Sequence, residues 1–77
     1  MNAIIKNLWD TDRQVLIFDN GSRLNDFGDL KDCDNVVILS KVGKNLLKII
    51  VNNETCLVSE VRLQHPVGGV MYAIEVK

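Results

Sequence analysis

The stretch Val36-Val37-Ile38-Leu39-Ser40-Lys41-Val42-Gly43-Lys44-Asn45-Leu46-Leu47-Lys48-Ile49-Ile50-Val51-Asn52-Asn53 decides how this chain is read. Two runs of branched aliphatics are cut by Gly43-Lys44-Asn45 and then by Asn52-Asn53, and β-branched residues between turn formers are strand signals. The pattern continues downstream. Thr55 to Leu63 is a third run, Pro66, Gly68 and Gly69 break it, and Val70 to Val76 is a fourth. Strands separated by so few residues pair with their sequence neighbours, which predicts an antiparallel meander.

Working towards the N-terminus, Val15 to Phe18 is a further strand, and Asn20-Gly21 after it is a hairpin signal. The segment that follows is poor strand material. From Leu24 the apolar residues Leu24, Phe27 and Leu30 recur every third position among polar ones, which predicts one or two irregular helical turns lying on the sheet. Residues 2–10 admit two readings. Ile4, Ile5, Leu8 and Trp9 share a helical face, yet the β-branched pair and the turn-like Asp10-Thr11-Asp12 favour the first arm of a hairpin, and the strand reading is preferred. The expected fold is a single mainly β domain over residues 1–77. Five or six strands form an antiparallel meander bent into a barrel or half-barrel, with a short helical or irregular segment near residues 24–33.

Alternation assigns the faces. Leu47, Ile49 and Val51 are expected on the core side, as are Leu57, Val61 and Leu63, and Val70, Tyr72, Ile74 and Val76. This leaves Val58 and Met71 on an apolar outer face, where they are candidates for an interface between copies of the chain. Phe18 and Tyr72 are read as packing residues.

Composition narrows the function. Val, Ile and Leu supply 26 of 77 residues, enough to specify a folded core rather than a disordered chain. Cys33 and Cys56 lack a CxxC partner, and neither a secretory leader nor an 18-residue apolar run is visible, so a cytoplasmic protein without a membrane anchor is expected. The net charge of −1 conceals an asymmetry: residues 1–38 carry net −3 and residues 39–77 net +2. A chain that binds nucleic acid through phosphate contacts normally carries a basic excess.

Candidate chemistry is sparse. His65 is the sole histidine and precedes a proline, which reads as a turn residue rather than a zinc ligand or catalytic base. Asp26-Phe27-Gly28 matches a kinase tripeptide in a chain far too short for that fold. Asp26, Asp29, Asp32 and Asp34 lack the spacing and terminal Glu of a calcium loop. No enzyme, cofactor or metal is therefore expected. The acidic loop beside Phe27 and Leu30 suits a protein partner, with charge steering the encounter and apolar groups anchoring it, and tryptophan is enriched among such anchors. Trp9, Asp26, Phe27, Asp29 and Leu30 are the candidate partner-binding residues. Lys41, Lys44, Lys48 and Arg62 form the alternative, a small RNA- or nucleotide-binding surface.

Val37-Ile38-Leu39-Ser40-Lys41-Val42-Gly43-Lys44 resembles the opening strand of the carbon-storage-regulator RNA-binding proteins. The resemblance implies an RNA partner. It spans eight residues that lie in mid-chain, Lys44 stands where that family usually has an acidic residue, and the later Gly-Val-x-Ala-Pro segment is missing. The expected function is that of a non-catalytic module acting stoichiometrically as inhibitor or modulator of another macromolecule, of the sort phages and mobile elements encode. A homo-oligomer capturing a ligand between protomers is the third reading.

Overall fold

A computed structural model of the chain describes residues 1–9 and 11–77. Six strands, β1 (Ala3–Asn7), β2 (Gln14–Phe18), β3 (Val36–Gly43), β4 (Leu46–Val51), β5 (Glu54–Gln64) and β6 (Val70–Val76), form one sheet in the order β1-β2-β6-β5-β4-β3. Every pairing is antiparallel. A 3-10 helix, Phe27–Asp32, is the one helical element among the described residues and falls in the segment expected to be helical. Residues 3–7 are a strand, paired with β2 from Ala3–Phe18 to Asn7–Gln14. The turn expected at Asp10-Thr11-Asp12 lies partly outside the described residues, which omit Asp10.

Local sequence accounts for most connections. Asn52 and Asn53 both have positive φ, 51° and 68°, as a tight two-residue hairpin requires, and asparagine tolerates that region best after glycine. At Asn20-Gly21 the chain also turns, with Gly21 at φ 92°, but the returning segment makes a single bridge, Ile17 to Arg23, in place of a strand. The outer side of β2 is occupied instead by β6, through Gln14–Val76 and Val15–Glu75.

Around β2, β6 and β5 the sheet is buried on both faces, whereas β3 is exposed along most of its length. Ala3, Leu16, Ile49, Val58 and Ile74, on one face, pack with Leu24, Leu30 and Cys33, so the 3-10 helix and its flanks form the lid of the larger core. Leu8 from the β1–β2 loop covers Val15, Leu63, Met71 and Ala73 on the other. Each fully buried aliphatic contributes about 1.5–3 kcal/mol. These two cores correct the expectations for the outer face and for β6. Val58 is 0% and Met71 6% exposed, in different cores, so neither offers a surface to a second copy. Tyr72 is 57% and Val70 44% exposed, because the first residues of β6 extend past the lid that covers Ile74 on the same face.

The sheet is not closed into a barrel: its edge strands β1 and β3 form no ladder among the described residues. A side chain spans the gap. Asn35 Oδ1 accepts the Ala3 N–H at 2.7 Å, and its Nδ2 donates to Ala3 O at 2.9 Å and to Asn52 Oδ1 at 2.8 Å. One carboxamide thus supplies β1 with the bonds a neighbouring strand would have made.

The two-residue β2–β6 junction has its own reinforcement. Glu75, 7% exposed, accepts from Arg13 Nε at the start of β2 and from Lys77 Nζ at 3.1 Å. The hydrogen bond from Arg13 holds the Glu75 carboxyl below its ordinary value of 4.5, outweighing burial, which acts the other way, with Lys77 assisting. A carboxyl whose folded-state pKa is depressed contributes stability above its unfolded pKa and loses it as pH falls through the folded one.

Two outcomes follow for stability. Asn35→Ala should lower unfolding free energy in urea by about 1–3 kcal/mol, because two bonded groups of Ala3 lose their partner, while Asn35→Asp, which keeps the acceptor, should cost less. Urea midpoints measured downwards from pH 7 should fall for the wild type once pH drops through the depressed Glu75 value, and Glu75→Gln should be less stable at pH 7 with a flatter acid limb.

Candidate functional site

Past the rim of the larger core, the exposed ends of β5 and β6 form one wall of a groove of about 690 Å³. Arg62 pairs with Tyr72 and Glu60 with Ile74 across the β5–β6 ladder, so Arg62, Tyr72 and Glu60 project from the same face. Arg23 and Asp26, from the segment between β2 and the helix, form the opposite wall, and Asn45 from the β3–β4 turn closes one end. Strands position the aromatic and one arginine, and a tethered loop brings the other charges to them.

The tethers are specific. Glu60 Oε2 accepts the Phe27 N–H at 2.9 Å, fastening the first turn of the helix to β5, and Asn45 Nδ2 donates to the Glu60 carbonyl at 2.7 Å. Asp29 Oδ2 accepts the N–H groups of Asn25, at 2.8 Å, and Asp26, at 3.3 Å. These donors are left unsatisfied at a helix start, so a carboxylate there stabilises the turn. Asp29 is thereby committed to the helix, whereas the exposed Asp26 lines the groove.

The partner-binding candidates are divided by the fold. Asp26 borders the groove, Phe27 is half-buried against the larger core, and Leu30 is 1% exposed within it. Trp9 lies elsewhere, its indole edge-on to His65 with ring centroids 5.5 Å apart and 40% of the residue exposed. The lysines are divided too. Lys41 pairs with Leu47 and Lys48 with Ser40 and Leu57, registers that put Lys41 and Lys48 on opposite faces of the β3–β4 hairpin. Lys41 and Lys44 border a depression of about 420 Å³ with Lys31, Phe27 and Ile38, while Lys48 borders another of about 580 Å³ with Lys77 and Leu57. Arg62 belongs to neither. Arg23, Asn45, Glu60 and Tyr72 were not among the sequence candidates. Counting outwards from Val67 across the last hairpin pairs Arg62 with Tyr72 and Glu60 with Ile74, which puts Tyr72 and Glu60 on the face of Arg62 but does not reveal that the groove forms there.

No group of three or more His, Cys, Asp or Glu side chains suited to a metal occurs among the described residues. Both cysteines are free thiols, and burial pushes the pKa of Cys33 and of Cys56 up, disfavouring the nucleophilic thiolate. No helix is long and apolar enough to cross a membrane among those residues. Compared with known proteins, the chain matches no family model, no curated sequence and no solved structure.

The groove can hold an extended polar segment against an aromatic floor, with hydrogen-bonding groups of both signs on its walls. Its loop wall depends on Glu60. Glu60→Ala should cost about 1–2 kcal/mol through loss of the acceptor for Phe27 N–H, and hydrogen exchange at the Phe27 amide should accelerate more than exchange at the β4–β5 ladder.

Proposed function

We propose that this chain is a non-catalytic binding module that engages a protein partner through the groove around Tyr72 and Arg62, acting stoichiometrically as an inhibitor or modulator. The observation that carries the reading is Tyr72. A tyrosine 57% exposed, with Arg62 opposite it on a paired strand, presents an aromatic and a guanidinium side by side on a fixed backbone. Tyrosine and arginine supply a disproportionate share of binding energy at protein interfaces, and a paired strand leaves no backbone to order on binding.

Charge separates this reading from the nucleic-acid one. A phosphate backbone following Arg23 and Arg62 would meet the carboxylates of Asp26 and Glu60 in the same groove. Mixed signs suit a polypeptide, which can carry side chains of both signs, better than a uniformly anionic phosphodiester. Lys48 lies on the face opposite Lys41, so the four basic candidates do not form one surface. Two free thiols suit a reducing compartment, so the proposed setting is the cytoplasm. The comparison with phage-type inhibitors is an analogy that rests on a surface suited to contact.

The test is a photo-crosslinking residue at Val70 in the native cell, followed by calorimetric titration of the captured protein. One binding site per chain is expected, with Tyr72→Ala and Arg62→Glu each weakening it by about tenfold or more and leaving the circular dichroism spectrum unchanged. Capture of nucleic acid that salt releases, and that Lys41→Glu with Lys44→Glu abolishes, would overturn the reading in favour of the RNA- or nucleotide-binding alternative.

A further inference from the structure

β3 ends the sheet, with β4 on one side and no ladder on the other among the described residues. Exposed edge strands are normally blunted with charge, proline or a twisting bulge, because unpaired N–H and C=O groups template pairing with another chain. β3 carries two bulges, between Ile38 and Ser40 and between Lys41 and Gly43, and their extra residues are Leu39 and Val42. Both are aliphatic and exposed, 46% and 52%, and Val37 and Ile38 before them are 55% and 42% exposed. The usual device for blunting an edge here displays apolar side chains. This strip is separate from the groove at Tyr72.

The charges around β3 select its occupant. Asp32 and Asp34 precede the strand, while Lys41 and Lys44 lie at and just beyond its end. Asp34 keeps 81% of its side chain exposed even while it bonds the amino terminus. An antiparallel copy of the same strand reverses this polarity, placing the acidic entry of one β3 beside the basic exit of the other. Centred on Leu39, that register sets Val36 against Val42 and Val37 against Lys41, and brings Lys44 level with the exposed carboxylate of Asp34, whose N–H is bonded to the Met1 carbonyl; no like charges are opposed. A parallel copy would set Lys41 against Lys41.

We infer that β3 pairs antiparallel with β3 of a second copy about a two-fold axis near Leu39, joining two six-stranded sheets edge to edge. The contact is isologous, so it closes at two chains. A stable interface buries about 800 Å² per partner, roughly a sixth of the 4877 Å² surface of this chain. One strand and its flanks bury less than that, so the dimer dissociates on dilution.

Sedimentation velocity on the full chain, from low micromolar to about half millimolar, tests the pairing. A reversible transition is expected from 8.7 kDa to twice that mass, weakened by added salt. Leu39→Lys should raise the dissociation constant at least tenfold without altering the circular dichroism spectrum, because it opposes two cations at the axis. Lys44→Asp should weaken the dimer, and Asp34→Lys added to it should restore it. The inference fails if the wild type stays monomeric throughout, if Leu39→Lys dimerises as tightly as wild type, if the double variant does not regain what Lys44→Asp loses, or if the limiting mass exceeds two chains. Tyr72→Ala should leave self-association unchanged; its loss in that variant would move the interface to the groove and overturn the β3 assignment.

Discussion

The rest of this structure depends on the double pairing of Val58. It is the one residue of β5 bonded into both ladders, opposite Leu47 on β4 and Val76 on β6. Before it β5 serves β4, and after it β5 serves β6. An 11-residue strand reaches roughly 36 Å at about 3.3 Å per residue, which matches the 35 Å long dimension of the molecule. β5 is therefore the spine, and the two halves of the sheet are staggered along it. The stagger carries the β5–β6 hairpin past the lid, and the groove wall with Tyr72 and Arg62 exists because of that overhang.

Two shallow cores replace one deep core. A chain of this length has too little interior for a single sandwich of the usual thickness, and burying a sheet on both faces draws more from each strand. β5 shows the consequence: Val58 fills the larger core, while its neighbour Ser59 and then Val61 and Leu63 turn to the smaller. The arrangement has a cost. Ser59 is 4% exposed, and its Oγ has no hydrogen-bond partner, a penalty of about 1–3 kcal/mol. Its cross-strand neighbour is Glu75, which is satisfied by Arg13 and Lys77. The smaller core thus holds both buried polar residues of the sheet, one reinforcing the β2–β6 junction and the other unpaired.

Local sequence signals specified the elements well and their surroundings poorly. From Val36 onwards branched aliphatics and turn residues mark β3 to β6 because both are short-range preferences, and Leu24, Phe27 and Leu30 announce the helical lid in the same way. Residues 2–10 were ambiguous because so short a segment fits either period, and pairing with β2, a tertiary event, makes residues 3–7 a strand. Burial along β6 was not legible. Tyr72 and Ile74 share a face, yet one is 57% and the other 0% exposed, since the lid covers only part of the strand. Met71 and Val58 looked like an outer face because nothing near them in sequence reveals that Leu8 returns over one core and the 3-10 helix over the other. Of the groove, Asp26 and Arg62 were recognised as surface charges, but for opposite reasons and different partners. Their meeting beside Tyr72 requires segments from four parts of the chain, and no local pattern encodes that.

The narrowness of the β2–β6 junction also orders events in time. β3 to β6 pair through short turns between sequence neighbours, so they close small loops at little entropic cost and can form early. The β1–β2 hairpin must find β6 across some sixty residues, and it is received through two residue pairs, the Glu75 ion pairs and the Asn35 carboxamide. With so small a seam it is the piece expected to dock last and detach first. Its detachment would lift Leu8 off the smaller core and Ala3 and Leu16 off the larger, exposing the interior to water while the meander stayed folded.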